Sequence, residues 1–322
     1  MGSPKIPLLA LVGPTAAGKS ALALEVARRL GNEIISADSA QVYRGLDIGT
    51  AKPSAAEQRL IRHHLIDLVD PDEDYSVADY QRDARPLIAR QWHQGRLPFI
   101  VGGTGLYLQA VTADYAFGSR GKDEALRRRL NAEAAAAGPE VLHRRLQRLD
   151  PAAAAKIHPN DRRRIIRALE VYTLEGRPIS QQVERTEKRE SPYQLLTFGL
   201  TRPRPLLYRA IEERTEEMLA RGMLDEVRGL LERGYPRHSP GLQILGYRQL
   251  AAYLDGETTL AEAAAAIKQE TRRLAKRQLT WFRRDREIIW LERPAEGSLA
   301  GPAEIIVGAV KEIFGYTENK IG

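Results

Sequence analysis

The chain has 322 residues, 43% of them hydrophobic, and a net charge of +7, so it can bury a full core and is long enough for two domains. It contains no cysteine, which excludes disulfides, thiolate zinc sites and cysteine nucleophiles. Its longest apolar runs are far shorter than a membrane span and its N-terminus does not have the form of a signal peptide, so we expect a cytoplasmic protein that does not act at a membrane.

The first predicted element is a strand, a loop and a helix. Ile6 to Val12 is an apolar run of strand length, and residues 19 to 30 carry apolar side chains at helical spacing. The loop between them fits G-x-x-x-x-G-K-[ST] in the context that a phosphate loop needs, so its N–H groups and the helix N-terminus form a cradle for a di- or triphosphate. The residues of this phosphate loop are Gly13, Pro14, Thr15, Ala16, Ala17, Gly18, Lys19 and Ser20.

Three polar side chains are predicted to face this cradle. Lys19 would lie against the phosphate oxygens, and the Ser20 hydroxyl can bind a bridging Mg²⁺. Asp38 follows a second predicted strand, residues 33 to 37, and the carboxyl ends of parallel strands face the ligand. Its carboxylate could be a Mg²⁺ ligand, a cap of the strand end or a general base.

The strand at residues 97 to 101 runs into Gly102, Gly103 and Thr104. A nucleotide-hydrolysing P-loop protein would carry an acidic residue here to hold the metal, so its absence argues against a motor, switch or ATPase. The glycines leave room for a second molecule to approach the phosphates. Thr104 either offers its hydroxyl at that gap or caps a helix over residues 106 to 111.

Residues 117 to 192 change to Ala- and Arg-rich helices, expected at 123–137, 140–148 and 160–175, and strand character returns at 194–200. We therefore predict an α/β fold, a P-loop NTPase-like parallel sheet core with an all-helical insertion domain. The core would comprise residues 1–116 and 193–322, and the insertion residues 117–192.

The remaining elements are a helix at 76–94 that Pro86 kinks or breaks, a long helical stretch at 204–233, a helix at 262–284, a strand at 288–291 and a helix at 303–314. His63 and His64 are neighbours, point apart and make a poor metal pair. Arg214 shares the apolar stripe of the 204–233 stretch, and we favour a pyrophosphate over a structural carboxylate as its partner.

Positive charge is concentrated in two zones. Residues 120–190 contain 17 Lys and Arg against 11 Asp and Glu, and residues 268–286 contain eight against two. A polyanion bound across both is the natural interpretation, and solvated helix faces are the alternative. In the second zone Trp281 and Phe282 interleave with cations, which suits RNA, unless they are a core aromatic pair.

Six segments together resemble the motifs of the tRNA dimethylallyltransferases, in the family's order. They are GPTAAGKS at 13–20, SADSAQVYRGLDIGTAKP at 36–53, VGGTGLYLQA at 101–110, HPNDRRRIIRALEVY at 158–172, ILGYRQL at 244–250 and RRLAKRQLTWFRRD at 272–285. Without cysteines the chain lacks the zinc finger of the eukaryotic members, so the resemblance implies the bacterial form.

The resemblance implies transfer of a dimethylallyl group from dimethylallyl diphosphate to N6 of adenosine 37, in tRNAs that read codons beginning with U. The polyphosphate would then be a diphosphate leaving group and not ATP. Mg²⁺ would be the cofactor, the tRNA anticodon stem-loop the partner, and a monomer the expected state. A P-loop small-molecule kinase, an adenylate isopentenyltransferase and an RNA-binding nucleotide switch are the alternatives.

The resemblance also implies residue roles. Asp38 matches the general base, Thr104 a position facing the target adenosine, and Arg214 would meet the charge that develops on the diphosphate. Gln41 could read an adenine edge. The residues expected to contact tRNA are Asp38, Ser39, Ala40, Gln41, Thr104, Arg127, Arg163, Arg164, Arg167, Gly246, Tyr247, Arg248, Lys276, Arg277 and Trp281.

Overall fold

The computed structural model describes residues 5–113, 123–181, 190–294 and 297–316. The chain forms two compact units. The first comprises Met1–Thr112 and Pro192–Gly322, and the second comprises Ala113–Ser191. Within the described ranges, no helix is long and apolar enough to cross a membrane.

The first unit is built on a six-stranded parallel sheet with the strand order β3-β2-β4-β1-β5-β6. In register, Val12 at the end of β1 lies opposite Gly102 and Gly199, and Ala37 at the end of β2 also lies opposite Gly102. The strand ends therefore meet at one edge of the sheet. The strands are β1 (Ile6–Val12), β2 (Ile34–Ala37), β3 (His63–His64), β4 (Phe99–Gly102), β5 (Tyr193–Thr201) and β6 (Ile289–Glu292).

Helices cover both faces of this sheet, which is why β1 and β4 are apolar throughout rather than alternating. Leu9 and Leu11 of β1 are buried in one cluster, and Leu8 and Ala10 in another on the opposite face. The α/β fold that we predicted is confirmed. The helices of this unit are α1 (Lys19–Leu30), α2 (Ala55–Leu60), α3 (Val77–His93), α4 (Gly105–Thr112), α9 (Arg204–Ala220), α10 (Met223–Glu232), α11 (Tyr247–Leu254), α12 (Leu260–Phe282) and α13 (Ala300–Phe314).

The described part of the second unit is helical. Its core is an apolar cluster that includes Leu130, Leu142, Leu146 and Ile165, all nearly inaccessible to solvent. Asp123 and Asp161 cap the first and last of its helices by accepting hydrogen bonds from backbone N–H groups. The helices are α5 (Glu124–Ala137), α6 (Pro139–Leu149), α7 (Pro151–Lys156) and α8 (Arg162–Glu175).

Two helices show how the sequence expectations turned out in detail. Of the kink or break expected at Pro86, the break does not occur, because helix α3 continues through this residue to His93. The long helical stretch expected over 204–233 consists of two helices, because Gly222 adopts φ 94° and separates α9 from α10. A left-handed residue of this kind ends a helix and turns the chain, and glycine allows it without steric cost.

Candidate active site

The phosphate loop has the backbone conformation that its glycines were expected to allow. Gly13 and Gly18 adopt φ angles of 140° and 100°, and Ala16 is also left-handed at 62°. A Cβ on Gly13 would overlap the carbonyl oxygen of Leu200, so β5 passes directly beside the loop. Glycine at 13 therefore serves the backbone turn and the close approach of a neighbouring strand at once.

Lys19 lies inside the curve of this loop. Its Nζ donates a hydrogen bond to the Pro14 carbonyl oxygen at 2.8 Å. Burial lowers the pKa of Lys19 to about 8; Asp38 opposes this shift, and Arg214 adds to it. The ammonium is thus held at the loop in an environment that penalises its charge, which an anion would relieve.

Asp38 stands at the tip of β2, and its carboxylate oxygen Oδ1 accepts a hydrogen bond from the Ala40 N–H at 2.9 Å. The neighbouring Ser39 N–H donates to Thr104 Oγ1 at 3.1 Å, and the Thr104 N–H donates to the Ala37 carbonyl oxygen at 3.1 Å. These bonds tie the ends of β2 and β4 together. The Thr104 hydroxyl is therefore placed beside Asp38 and bonds Ser39, rather than the first N–H groups of α4.

Arg214 projects from α9 toward the same site. Burial lowers its pKa, while Asp38 and Glu217 oppose that shift. Within the described residues, Arg214 forms no ion pair or hydrogen bond through its guanidinium. A pyrophosphate partner for this arginine stays a prediction.

Helix α12 closes the site from another direction. Gln278 accepts a hydrogen bond from the Thr15 N–H at 2.8 Å and donates one to the Gly103 carbonyl oxygen at 3.0 Å. A Cβ on Gly103 would overlap the Gln278 amide, and one on Gly105 would overlap the Trp281 ring. Helix α12 thus fills the space beside Gly103 and Gly105. The approach of a second molecule past Gly102 and Gly103 to the phosphates stays a prediction.

Gln41 is engaged within the protein. Its Nε2 donates to the Thr50 and Ala51 carbonyl oxygens, both at 3.3 Å, and its Oε1 accepts from the Ser36 hydroxyl at 3.1 Å. Every polar group of the amide thus has a partner here. Contact between Gln41 and an adenine edge stays a prediction that requires some of these bonds to open.

Tyr247 does not fit the tRNA contact that we expected of its side chain. The ring is fully buried, and its hydroxyl donates to Glu226. The same carboxylate accepts from the N–H groups of residues 47, 48 and 49, at 3.0, 2.8 and 3.3 Å. Tyr247 therefore positions the 47–49 loop through Glu226, and burial followed by that carboxylate raises the pKa of its phenol.

The residues next to Tyr247 differ from it in exposure. Gly246 adopts φ 96°, and a Cβ there would overlap the Met223 side chain, so its contribution to this region is conformational. The Arg248 side chain is 43% exposed and pairs with Glu270. Only Arg248 of this segment offers a charge at the surface.

In the second unit, the buried carboxylate of Glu170 forms ion pairs with two of the arginines predicted to contact tRNA. Arg127 binds Glu170 through two hydrogen bonds, at 2.7 and 2.8 Å, and Arg167 binds it at 2.7 Å. Burial alone would raise the pKa of Glu170, but these bonds and one from the Asp123 N–H lower it to about 2. Arg127 is therefore part of the unit's internal structure, whereas Arg167 retains a side chain that is 41% exposed.

The other predicted cations lie at the surface of their own units. Arg163 and Arg164 are exposed on α8, where Arg164 pairs with Asp161 at 3.4 Å. Lys276 and Arg277 are exposed on α12. Of the two aromatic residues that follow, Trp281 is 36% exposed and Phe282 is buried in the core.

Metal-binding clusters do not occur among the described residues, in the sense of three or more grouped His, Asp or Glu side chains. His64 bonds Glu33 at 2.6 Å, and His63 bonds the Ile61 carbonyl at 2.8 Å. Ser20 is exposed in the first turn of α1. The Ser20 hydroxyl could hold a divalent cation at the loop together with phosphate oxygens and water.

Comparison with known proteins identifies the group to which this site belongs. The model of the IPP transferase family matches residues 41–285, and that of an isopentenyl transferase family matches residues 6–71. A tRNA dimethylallyltransferase of Moorella thermoacetica is 56% identical over 295 residues, covering 90% of this chain and 91% of its own. One from Symbiobacterium thermophilum is 51% identical over 98% of both chains.

This chain belongs to the tRNA dimethylallyltransferase family. Solved structures agree: the tRNA isopentenylpyrophosphate transferase of Bacillus halodurans is 44% identical with a TM-score of 0.71, over 96% of this chain and 98% of its own. A eukaryotic dimethylallyltransferase acting on tRNA is 26% identical with a TM-score of 0.80, over 98% and 81%. The resemblance drawn from the six motifs is thus confirmed.

Sequence reasoning missed two residues of this site. Gln278 lies inside the 272–285 motif, yet its bond partner Thr15 is far away in the chain. Glu226 lies in none of the six motifs. No local spacing signals such residues, because their role depends on which loops the fold brings to them.

Proposed function

We propose that this protein transfers the dimethylallyl group of dimethylallyl diphosphate to N6 of adenosine 37 in tRNAs that read codons beginning with U. The products are N6-(dimethylallyl)adenosine and diphosphate. It would act as a monomer in the cytoplasm, where its substrate is found. The reaction class is supported by relatives that are named tRNA dimethylallyltransferases and that match nine-tenths or more of the chain.

One observation in the structure supports this chemistry most directly: the carboxylate of Asp38 lies within electrostatic reach of both Lys19 and Arg214. A proton acceptor and two cations thus surround one phosphate loop. A reaction that removes a proton from a nucleophile while a diphosphate departs needs this combination of charges.

In the proposed step, the exocyclic N6 forms a bond to the allylic C1 of the donor, and the bond between C1 and the diphosphate oxygen breaks. N6 is a weak nucleophile because its lone pair is delocalised into the purine. Asp38 accepts the proton that N6 loses, a contribution worth roughly 10²- to 10⁴-fold in rate. Thr104 and Ser39, which are hydrogen-bonded to one another beside Asp38, would position the carboxylate of Asp38.

The electron pair of the broken C1–O bond stays on the diphosphate, whose negative charge increases as that bond breaks. The loop N–H groups, Lys19 and Arg214 would stabilise that charge, and such fixed donors cost no reorganisation during the reaction. Mg²⁺ held by Ser20 and the phosphate oxygens would add positive charge when bound. The absence of an acidic residue after β4 fits a leaving group that is not hydrolysed by an activated water.

For tRNA, we propose that residues 117–192 act as a binding domain together with the basic face of α12. Support comes from the exposed cations of each unit, Arg163, Arg164, Lys276 and Arg277. Exposed arginines and lysines of this kind contact a phosphate backbone and make binding dependent on salt. The target adenosine must leave the anticodon-loop stack to meet Asp38.

The test of this function is to supply labelled dimethylallyl diphosphate, ATP and unmodified tRNA in one reaction and to identify the labelled product. We expect label in tRNA alone, at adenosine 37. Label on free adenine nucleotide would instead identify an adenylate isopentenyltransferase. Consumption of ATP without use of the prenyl donor would identify a kinase.

A further inference from the structure

Two arginines follow the strands on the side of the phosphate loop away from Asp38. Arg202 directly follows β5, and Arg293 directly follows β6, its N–H bonding the Thr201 carbonyl oxygen at 2.8 Å. A Cβ on Gly18 would overlap the Arg293 guanidinium, so that group lies against the backbone of the loop. Neither arginine belongs to the six sequence motifs.

In the part of the chain that the structure describes, the positive charges of Arg202 and Arg293 have few acidic groups near them. Among the described residues, neither guanidinium forms an ion pair with a carboxylate, and the Arg202 Nε is buried without a hydrogen-bond partner. Burial and the charge of Arg293 both lower the pKa of Arg202, and only Glu213 opposes them. Two like charges and an unsatisfied buried donor cost stability, so their retention beside an anion cradle points to an anion that spans them.

The strand order shows on which part of the donor they would act. Asp38 follows β2 and Thr104 follows β4, whereas Arg202 and Arg293 follow β5 and β6, on the opposite side of β1 and its phosphate loop. The allylic carbon has to face Asp38. A diphosphate lying across the loop therefore directs its terminal phosphate, the more highly charged of the two, toward the arginines.

We propose that Arg202 and Arg293 bind the terminal phosphate of the prenyl diphosphate and of the diphosphate product. This inference rests on the proposed function, and it adds a specificity element to it. The two guanidiniums favour a diphosphate over a monophosphate, since only a diphosphate brings them a terminal phosphate in addition to the one that the loop holds. They also offer a forked donor arrangement that phosphate oxygens match.

The experiment compares Arg293→Gln and Arg202→Gln with Arg28→Gln, a control on α1 whose side chain is 59% exposed and pairs with Glu25. Calorimetry measures binding of inorganic diphosphate and inorganic phosphate, and steady-state assays with tRNA measure the Michaelis constant for the donor. We expect each site variant to weaken diphosphate binding and raise that constant about tenfold. The affinity for phosphate and for tRNA should remain as in the wild type, and the control should change neither.

Melting temperatures separate binding from structure. Removal of one of two like charges should leave the melting temperature of the ligand-free protein unchanged or higher, while diphosphate raises it less than in the wild type. Arg293→Lys keeps the charge and should retain an intermediate affinity. A melting temperature well below the wild type, or an unchanged diphosphate affinity, would overturn the inference. If a variant gives either of these results and still prenylates tRNA, the inference fails but the proposed function stands. If the wild type binds diphosphate but does not label tRNA, the proposed function fails instead.

Discussion

The side-chain oxygen of Gln278 accepts a hydrogen bond from the Thr15 N–H at 2.8 Å, which fixes the phosphate loop to a helix near the other end of the chain. The same amide donates to the Gly103 carbonyl oxygen, so one side chain joins the loop after β1 to the end of β4. The basic helix α12 is thereby coupled to the phosphate site by direct bonds. A helix proposed to bind tRNA and a loop proposed to bind the donor share one residue.

Gln278→Leu should therefore impair donor use without unfolding the protein. It removes two hydrogen bonds and leaves the Thr15 N–H unsatisfied, a loss of about 1–3 kcal/mol. If the whole loss falls on donor binding, the Michaelis constant for the donor rises roughly 5- to 150-fold. Gln269→Leu is the matched control, because Gln269 is exposed on the same helix. Equal kinetics for the two variants would show that Gln278 does not position the loop.

Glycine substitutions test the contact between α12 and α4. Gly105→Ala places a methyl group where the Trp281 ring lies, so we expect that ring to move and both tRNA affinity and transfer to fall several-fold. Gly229→Ala on α10 is the control, since nothing lies within 4 Å of its added Cβ. This control should raise stability by about 0.5–1 kcal/mol. A Gly105→Ala variant with wild-type tRNA affinity would contradict the account.

The buried Glu170 predicts acid sensitivity in the second unit. Its pKa is lowered to about 2 by Arg127 and Arg167, against an ordinary value of 4.5 in the unfolded chain. A lowered folded-state pKa contributes stability that is complete above about 4.5 and is lost as pH falls toward 2. Glu170→Gln should remove this dependence and cost on the order of 3 kcal/mol at pH 7, since it leaves two arginines without their carboxylate.

Amide hydrogen exchange or circular dichroism between pH 7 and 2 measures the loss of stability in the wild type and in Glu170→Gln. Arg128→Gln is a suitable control, because Arg128 is exposed on the same helix as Arg127. The same acid transition in wild type and Glu170→Gln would show that the carboxylate is not responsible.

Lys19 predicts a second dependence on pH. With a pKa lowered to about 8 in the ligand-free protein, its ammonium deprotonates as pH rises through that value. Since the charged form binds the diphosphate, affinity for inorganic diphosphate should fall above pH 8, and binding near pH 8 should take up a proton. Calorimetry in buffers of different ionisation enthalpy measures that uptake. Binding without proton uptake at this pH would indicate that Lys19 is already fully charged.

The phosphate loop and Asp38 could be predicted from the sequence because their signals are local. Gly13, Gly18 and Lys19 occur at fixed spacing between a strand and a helix, and Asp38 directly follows an apolar strand. The roles of Gln278 and Tyr247 could not be predicted in this way. Each depends on a partner that only the folded chain brings near, a Thr15 N–H in one case and the Glu226 carboxylate in the other.

Burial and internal ion pairs distinguish the arginines predicted to contact tRNA from one another. In the sequence, neighbouring arginines predict a basic surface. In the structure, Arg127 bonds the buried carboxylate of Glu170, whereas Arg163 of the same unit is exposed. A periodicity argument assigns faces to a helix but does not tell which charge meets an acidic side chain from another helix. That information lies in tertiary packing.

The central claim is that Asp38 accepts the proton from the attacking base, and the rate of a single turnover with bound tRNA tests it most directly. Asp38→Asn keeps the shape of the side chain, and Asp72→Asn, an exposed residue of the same unit, is the control. We predict a fall of roughly 10²- to 10⁴-fold in transfer of labelled dimethylallyl to tRNA, with tRNA affinity and the control's rate unchanged. Transfer by Asp38→Asn at the wild-type rate would contradict the account.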